Sequence, residues 1–393
     1  MRKNILLGIT GGIAAYKMVE VASRLTKLGH SVHVVMTEGG TRFVTPLTFQ
    51  SITHNSVETD LFTPPEHYNV KHISLADAAD VCLIAPATAN FIGKIAGGIA
   101  DDLLSTIVMA TEAPVLIAPS MNVHMFHNPI LQDNLSYLRD KGYKIIEPGT
   151  GVLACGYQGK GRLPEPVELV ERILYELRSR ELAGKKVLVT AGPTREPLDP
   201  VRYLSNYSSG KMGYALARAA SFRGAEVILI SGPTTLTPPL GVRYISVKTA
   251  REMEREVKKY APEQDIIIMA AAVADYRPVE FRAQKIKKGD KQGLNLELMP
   301  NPDILAGVGK NKREGQLLIG FALESENLIE NALKKLEKKN LDMIIANDIS
   351  AFAGDENEVT VINSTEKEKL PRMEKSELAD TIMDRVIRLI AKN

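Results

Sequence analysis

A single pattern occurs twice in this chain, and that repetition limits the possible fold more than any other feature. Asp80–Asn90 and Asp265–Asp275 each read as an aspartate, four apolar residues, a small-residue turn and a polar tip. Short continuous apolar runs of this kind suit strands buried on both faces, as in a parallel sheet covered by helices. The flanking sequence agrees. Asn4–Ile9 is nearly all apolar and ends in Thr10-Gly11-Gly12; from Ala14 a helical period places Ala15, Met18, Val19, Ala22, Leu25 and Leu28 on one face until Gly29. Ser31–Met36 is then a second strand, which makes a right-handed βαβ unit. Asp80–Ala85 and Ala113–Ala118 extend the sheet, with one helix between them and Asp101 and Asp102 near its start.

Gly149–Gly161 breaks the pattern with five glycines and no apolar period, so it reads as a loop holding Cys155. A helix is predicted over Val167–Arg180, after which the architecture restarts. Lys186–Ala191 is a strand, Met212–Arg223 a helix, and Ala225–Ile230, Asp265–Met269 and Leu341–Ala346 are further strands. The expectation is an α/β protein of two Rossmann-like domains, residues 1–182 and 183–393, each a parallel sheet flanked by helices. Ligands of such sheets bind outside the carboxyl ends of the strands, which puts both repeated tips at expected sites.

Composition narrows the class. With 393 residues, 44% hydrophobic and 24% charged, the chain can bury two or three cores and is not disordered throughout. Lys and Arg number 49 against 47 Asp and Glu, so no basic tail points to nucleic acid or a membrane surface. Cys82 and Cys155 are too few for a disulfide framework, which favours a reducing compartment. No apolar run has the roughly 18–20 residues that cross a bilayer, and the start reads as a strand rather than a signal peptide. A cytoplasmic protein is expected.

Several residues carry chemistry. Thr10-Gly11-Gly12 turns a strand into a helix whose free N–H groups suit a phosphate as well as they suit a plain tight turn. Ser209–Gly213 lacks the upstream glycine and the hydroxyl of a Walker loop, yet Asn206, Ser208, Ser209 and Lys211 are all able to meet an anion. The seven histidines have no metal spacing. His72 follows the Pro64-Pro65 loop and can be structural or a base. Cys82 lies in a buried strand, whereas Cys155 in its glycine-rich loop is a candidate acid. Lys285–Lys288 alternates like an edge strand, where lysines either discourage pairing or face a polyphosphate.

Eight of these segments, in order, carry a resemblance that spans essentially the whole chain. Ile9–Lys17, Ala85–Asn90, Pro119–Asn122 and Ala154–Gly156 resemble the flavin-containing cysteine decarboxylases. Ala191–Arg202, Ser205–Gly213, Ala270–Tyr276 and Lys285–Lys288 are similar to phosphopantothenate–cysteine ligases. Together they resemble the bifunctional coenzyme A biosynthesis family. One departure is Phe126, where the family often has an indole.

The resemblance implies a flavodoxin-like flavoprotein domain, residues 1–182, followed by a ligase domain, residues 183–393. It implies ligation of 4′-phosphopantothenate to cysteine, with CTP and Mg2+ forming an acyl-cytidylate, and then FMN-dependent decarboxylation to 4′-phosphopantetheine. It assigns Asn206 to the acyl-cytidylate and Lys285 to the triphosphate and transfer. Ala271, Asp275, Lys285, Pro300, Asn301, Pro302, Asp303, Phe321, Lys335 and Lys339 are implied CTP ligands; metal ligands are left unassigned. In the first domain His72 becomes the base, Asn122 the holder of the substrate carboxylate, and Cys155 the final proton donor. Thr10, Gly11, Gly12, Thr37, Ala85, Thr88 and Asn90 are implied FMN contacts. The family places FMN between subunits of trimers and pairs its ligase domains, which implies a homo-dodecamer. Two other readings are a flavin-binding regulatory subunit, against which intact Cys155 argues, and a nicotinamide-dependent reductase, against which the missing Gly-x-Gly-x-x-Gly argues.

Overall fold

A computed structural model describes residues 2–62, 71–152, 156–287, 294–324, 328–348 and 354–392. The chain divides into two compact units, Met1–Leu177 and Arg178–Asn393.

The first unit is built on β1 (Asn4–Ile9), β2 (Ser31–Met36), β3 (Val57–Glu58), β4 (Val81–Ala87), β5 (Val115–Pro119) and β6 (Lys144–Ile145). They form one parallel sheet in the order β3-β2-β1-β4-β5-β6. Ile5, Leu7 and Ile9 face one core with Met18, Val21 and Leu25 of helix Ala15–Lys27, while Leu6, Cys82 and Ile84 face a second core. Alternate residues of each strand are buried on opposite faces, which is why these strands are apolar throughout.

The single helix expected after β4 is two, Ala89–Ala96 and Leu103–Ala110. Asp102 caps the second by accepting from Ser105 N at 2.8 Å, and the reciprocal Asp102 N–Ser105 Oγ bond completes a capping box. The glycine-rich loop is in fact an antiparallel hairpin of β7 (Gly149–Val152) and β8 (Gln158–Arg162). Glycine conceals a strand from periodicity because it has no side chain to alternate. Cys155 lies outside the described residues.

The second unit opens with β9 (Lys186–Ala191), followed by a ribbon of β10 (Glu196–Asp199) and β11 (Arg202–Leu204). Next come β12 (Glu226–Ser231), β13 (Val242–Ser246) and β14 (Ile266–Met269). A second ribbon pairs β15 (Tyr276–Pro278) with β16 (Leu298–Pro300). β17 (Leu317–Glu324), β18 (Met343–Asp348), β19 (Glu356–Asn363) and β20 (Lys367–Glu374) complete the main sheet. Its order is β13-β12-β9-β14-β17-β18-β19-β20, parallel up to β18 and antiparallel beyond. The first six of these strands repeat the topology of the first unit. Helices Lys211–Ser221 and Lys375–Lys392 cover one face, and Ala250–Tyr260, Ile304–Lys310 and Leu328–Lys338 the other. Lys285–Lys287 belongs to no strand, contrary to the alternating pattern; Ile286 is tied instead to Asp199 of β10, and Lys288 lies outside the described residues.

Candidate active sites in the two units

In both sheets the strand order reverses beside the first strand, between β1 and β4 and again between β9 and β14. The turns on either side diverge at such a point and leave a crevice between them. Each unit has a cavity there.

The first cavity, of about 680 Å³, is lined by Gly11, Gly12, Thr88 and Asn122 of the expected residues. Thr10 lies buried behind it, donating to Pro86 O at 2.6 Å and accepting from Thr88 N at 3.1 Å. That one hydroxyl joins two turns 78 residues apart. Helix Ala15–Lys27 has no side-chain cap; Ala15 N and Lys17 N donate instead to Gly12 O and Ala14 O, at 2.9 and 3.0 Å, in a tight turn at the cavity. The Gly11 and Gly39 backbones pack so closely that a Cβ on Gly11 would lie 3.1 Å from Gly39. Asn122 heads helix Val123–Phe126, accepting from His124 N at 2.8 Å.

Other expected residues do not line this cavity. Ala85 is fully buried within β4, Asn90 points to solvent, and Thr37 caps the short helix Glu38–Thr41. His72, in helix Lys71–Ala78, is also outside the lining. Its helix is held to the end of Leu103–Ala110, where Thr111 Oγ1 donates to Ala76 O at 2.9 Å. Cys82 is buried and its thiol is pushed up to about 12 by desolvation, so it takes no part in the chemistry.

Lys17, Arg162 and Met121 line the cavity without having been singled out. Lys17 is 6% exposed and reaches Leu163 O at 3.1 Å and Glu165 Oε1 at 3.0 Å. Arg162 shares that same carboxylate oxygen at 2.8 Å. The hairpin is pinned to the Asn122 segment by Met121 N donating to Gly161 O at 3.0 Å. Lys17 closes the motif that begins at Ile9, and only its unusual place on the buried face of a helix marked it.

The second cavity, of about 400 Å³, gathers Asn206, Ala271, Asp275, Phe321 and Lys335. Asn206 Nδ2 donates to Ala272 O at 2.6 Å while its Oδ1 accepts from Ser208 N at 3.1 Å, so the side chain locks two loops together. Thr194, also buried, accepts from Ala274 N at 3.0 Å. Helix Lys211–Ser221 starts at Gly210, whose φ of 79° suits only glycine, and has no side-chain cap. Its first N–H groups therefore open toward the cavity.

Pro300, Asn301, Pro302 and Asp303 stand outside the lining but abut it, with Asn301 N donating to Asp275 O at 2.8 Å. Asp303 caps helix Ile304–Lys310 through Ala306 N and pairs with Lys339 at 2.9 Å. Burial acts to raise this carboxyl, but Lys339 and the Ala306 N–H hold it below its ordinary value. Lys339 and Lys335, four apart, thus part company: Lys335 lines the cavity and Lys339 is neutralised by Asp303. Lys285 is exposed and outside the lining, on a segment fixed by Ile286 N to Asp199 Oδ2 at 3.0 Å and by Arg202 to Ile286 O at 3.0 Å.

Comparison with known proteins accords with this division. Residues 1–178 match the family model "Flavoprotein", and residues 182–390 match "DNA/pantothenate metabolism flavoprotein C-terminal domain". The "Coenzyme A biosynthesis bifunctional protein CoaBC" of Bacillus subtilis (strain 168) is 48% identical over 396 aligned residues, covering 98% of this chain and 97% of the relative. The protein of the same name from Borreliella burgdorferi is 47% identical, covering 97% of this chain and 98% of the relative. A crystal structure of the C-terminal domain of CoaBC is 44% identical and aligns over 55% of this chain and 100% of that one, with a TM-score of 0.48.

Proposed function

The chain belongs to the family of coenzyme A biosynthesis bifunctional proteins, and from that membership we propose a division of labour between its cavities. Residues 183–393 ligate 4′-phosphopantothenate to cysteine at the expense of CTP, and residues 1–182 decarboxylate the product to 4′-phosphopantetheine. The full-length likeness to bifunctional relatives, together with a cavity at each reversal of strand order, carries this reading.

In the second unit the chemical problem is a carboxylate that resists attack by an amine. Converting it to an acyl-cytidylate, with loss of pyrophosphate, makes it electrophilic. Asn206 then holds the acyl group beside Ala272, and Lys285 offsets the phosphate charge. Asp275, Phe321 and Lys335 surround the nucleotide, with the Pro300–Asp303 turn and Lys339 at its edge. No group of three or more His, Cys, Asp or Glu side chains stands ready for a metal among the described residues. In this reading Mg2+ enters on the phosphates of CTP, as this ion commonly does.

FMN fits the first cavity, where the close-packed Gly11 turn leads into helix Ala15–Lys27. When bound it would take two electrons from the substrate thiol, which lets CO2 depart without an unstabilised carbanion, and would return them to the product. Gly11, Gly12 and Thr88 would hold it, with Thr10 fixing the turn behind them. Asn122 orients the substrate carboxylate, His72 takes the thiol proton, and Cys155 returns a proton to the product. In the homo-oligomer of this reading, the His72 of one copy serves the cavity of another. Trimers of the first domain joined by pairing of the second give a dodecamer. A cytoplasmic location is part of this proposal, and no helix among the described residues is long and apolar enough to cross a membrane.

The test is direct. Purified full chain should be yellow and convert 4′-phosphopantothenate, cysteine and CTP into pyrophosphate, CO2 and 4′-phosphopantetheine. Protein that releases no pyrophosphate in the presence of CTP overturns the ligase half; a flavin-loaded protein that releases no CO2 from 4′-phosphopantothenoylcysteine overturns the other.

A further inference from the structure

The turn Ala271–Asp275 at the second cavity is held by a residue that lies outside the cavity lining. Thr194 is fully buried and uses three polar groups at once. Its Oγ1 accepts from Ala274 N at 3.0 Å, and its own N–H donates to Ala272 O at 3.2 Å. Its carbonyl accepts from Ser205 Oγ at 2.7 Å. Ser205 adjoins Asn206, whose Nδ2 donates to the same Ala272 oxygen at 2.6 Å. Thr194 therefore stands between the strand-end turn and the Asn206 loop, bonded to both.

β9 and β14 are neighbours at the reversal of strand order, and the turns that follow them diverge there. Pairing within the sheet does not fix the separation of two diverging turns; bonds across the crevice must do so. Thr194 spans it at the floor, much as Thr10 spans the crevice of the first unit. From the other side the Gly232 backbone crowds the same turn, where an added Cβ would lie 1.9 Å from Pro193 O. Thr190 Oγ1 accepts from Ala271 N at 3.2 Å, and Asn301 Nδ2 donates to Ala274 O at 2.8 Å. Thr190 and Asn301 brace the turn; Thr194 joins it to the Asn206 loop.

We propose that Thr194 is a positioning residue for ligation, setting the separation between Asn206 and the turn Ala271–Asp275. This rests on the ligase reading and deepens it. In the activation step a carboxylate oxygen bonds the α-phosphorus of CTP as the bridging P–O bond breaks. Pyrophosphate leaves with that electron pair. The step needs the acyl group, held at Asn206, aligned with the nucleotide, held at the turn; a misplacement of about 1 Å can cost about 100-fold. Binding of CTP alone needs the turn but not its distance from Asn206.

The experiment measures CTP-dependent pyrophosphate release by the full chain, and the Kd for CTP by calorimetric titration without acyl substrate. Thr194→Val keeps the shape of the side chain but offers Ala274 N no acceptor. Its kcat should fall roughly 10- to 100-fold, while the Kd for CTP changes by less than about 3-fold. Thr194→Ser restores the hydroxyl and should bring kcat to within about 3-fold of the unmodified chain. Ser205→Ala, at an exposed position, removes the tie to the Thr194 carbonyl. It should lower kcat by roughly 3- to 10-fold and stands in if Thr194→Val does not fold. An unchanged kcat overturns the proposal. So does a loss of CTP affinity as large as the fall in kcat/KM, which would confine Thr194 to supporting the nucleotide turn. A serine variant no better than the valine one would trace the effect to packing of the methyl group and overturns it too. Failure of the ligase reading is distinct, because the unmodified chain would then release no pyrophosphate.

Discussion

Asp199 illustrates how one side chain can govern a residue it never touches. It is 2% exposed and accepts from the N–H groups of Val201, Arg202 and Ile286 at 2.8, 2.8 and 3.0 Å. Burial acts to raise its carboxyl, but these donors and the Arg202 charge keep it below the ordinary carboxylate range. It thereby anchors the segment that carries Lys285. Asp199→Ala should lower the kcat of ligation by about 10- to 100-fold, consistent with a loss of positioning. Asp199→Asn, which keeps an acceptor oxygen, should be milder; equal ligation rates in all three proteins would show that Lys285 needs no anchor. His72→Asn makes the complementary prediction for the first unit. CO2 release from 4′-phosphopantothenoylcysteine should be lost while CTP-dependent pyrophosphate release stays at the level of the unmodified chain.

The next-to-last residue of β8 is Gly161, whose φ is 148° and where an added Cβ would lie 2.3 Å from Met121 O. No side chain fits without displacing the strand from the Asn122 segment. Gly161→Ala should therefore cost the first unit about 1–3 kcal/mol by denaturant titration and remove decarboxylation, with ligation intact. A second element responds to pH. Because Asp303 caps Ile304–Lys310 with its folded pKa held below the unfolded value of 3.8, its contribution is full above that value. It is lost as pH falls through the lower folded value. Melting temperatures of the full chain between pH 5 and 2 should fall less steeply in Asp303→Asn, for the transition of the second unit only.

Among the described residues, each unit has buried cores of its own. Calorimetry should accordingly resolve two transitions, FMN raising the midpoint of one and CTP that of the other. A single transition moved by both ligands would contradict this. Much of the architecture was legible because it is local: apolar runs mark strands buried on both faces, and a glycine turn into a helical period marks the start of each βαβ unit. The α/β class, the two sheets, and turns such as Thr10–Gly12 and Ala270–Asp275 follow from that alone. Strand order does not. Bringing Thr10 beside Thr88, or Asn206 beside Ala272, depends on which strands pair across long stretches of chain, and that is set by packing of whole faces. The same non-local packing hides the hairpin within glycines, removes Lys285–Lys287 from any strand, neutralises Lys339 with Asp303 and buries Lys375 at a cavity wall. The residue pattern thus determined which elements form and which turns carry chemistry. Only tertiary structure decided which of those turns share a cavity, because proximity there comes from sheet pairing and helix packing rather than from neighbours in the chain.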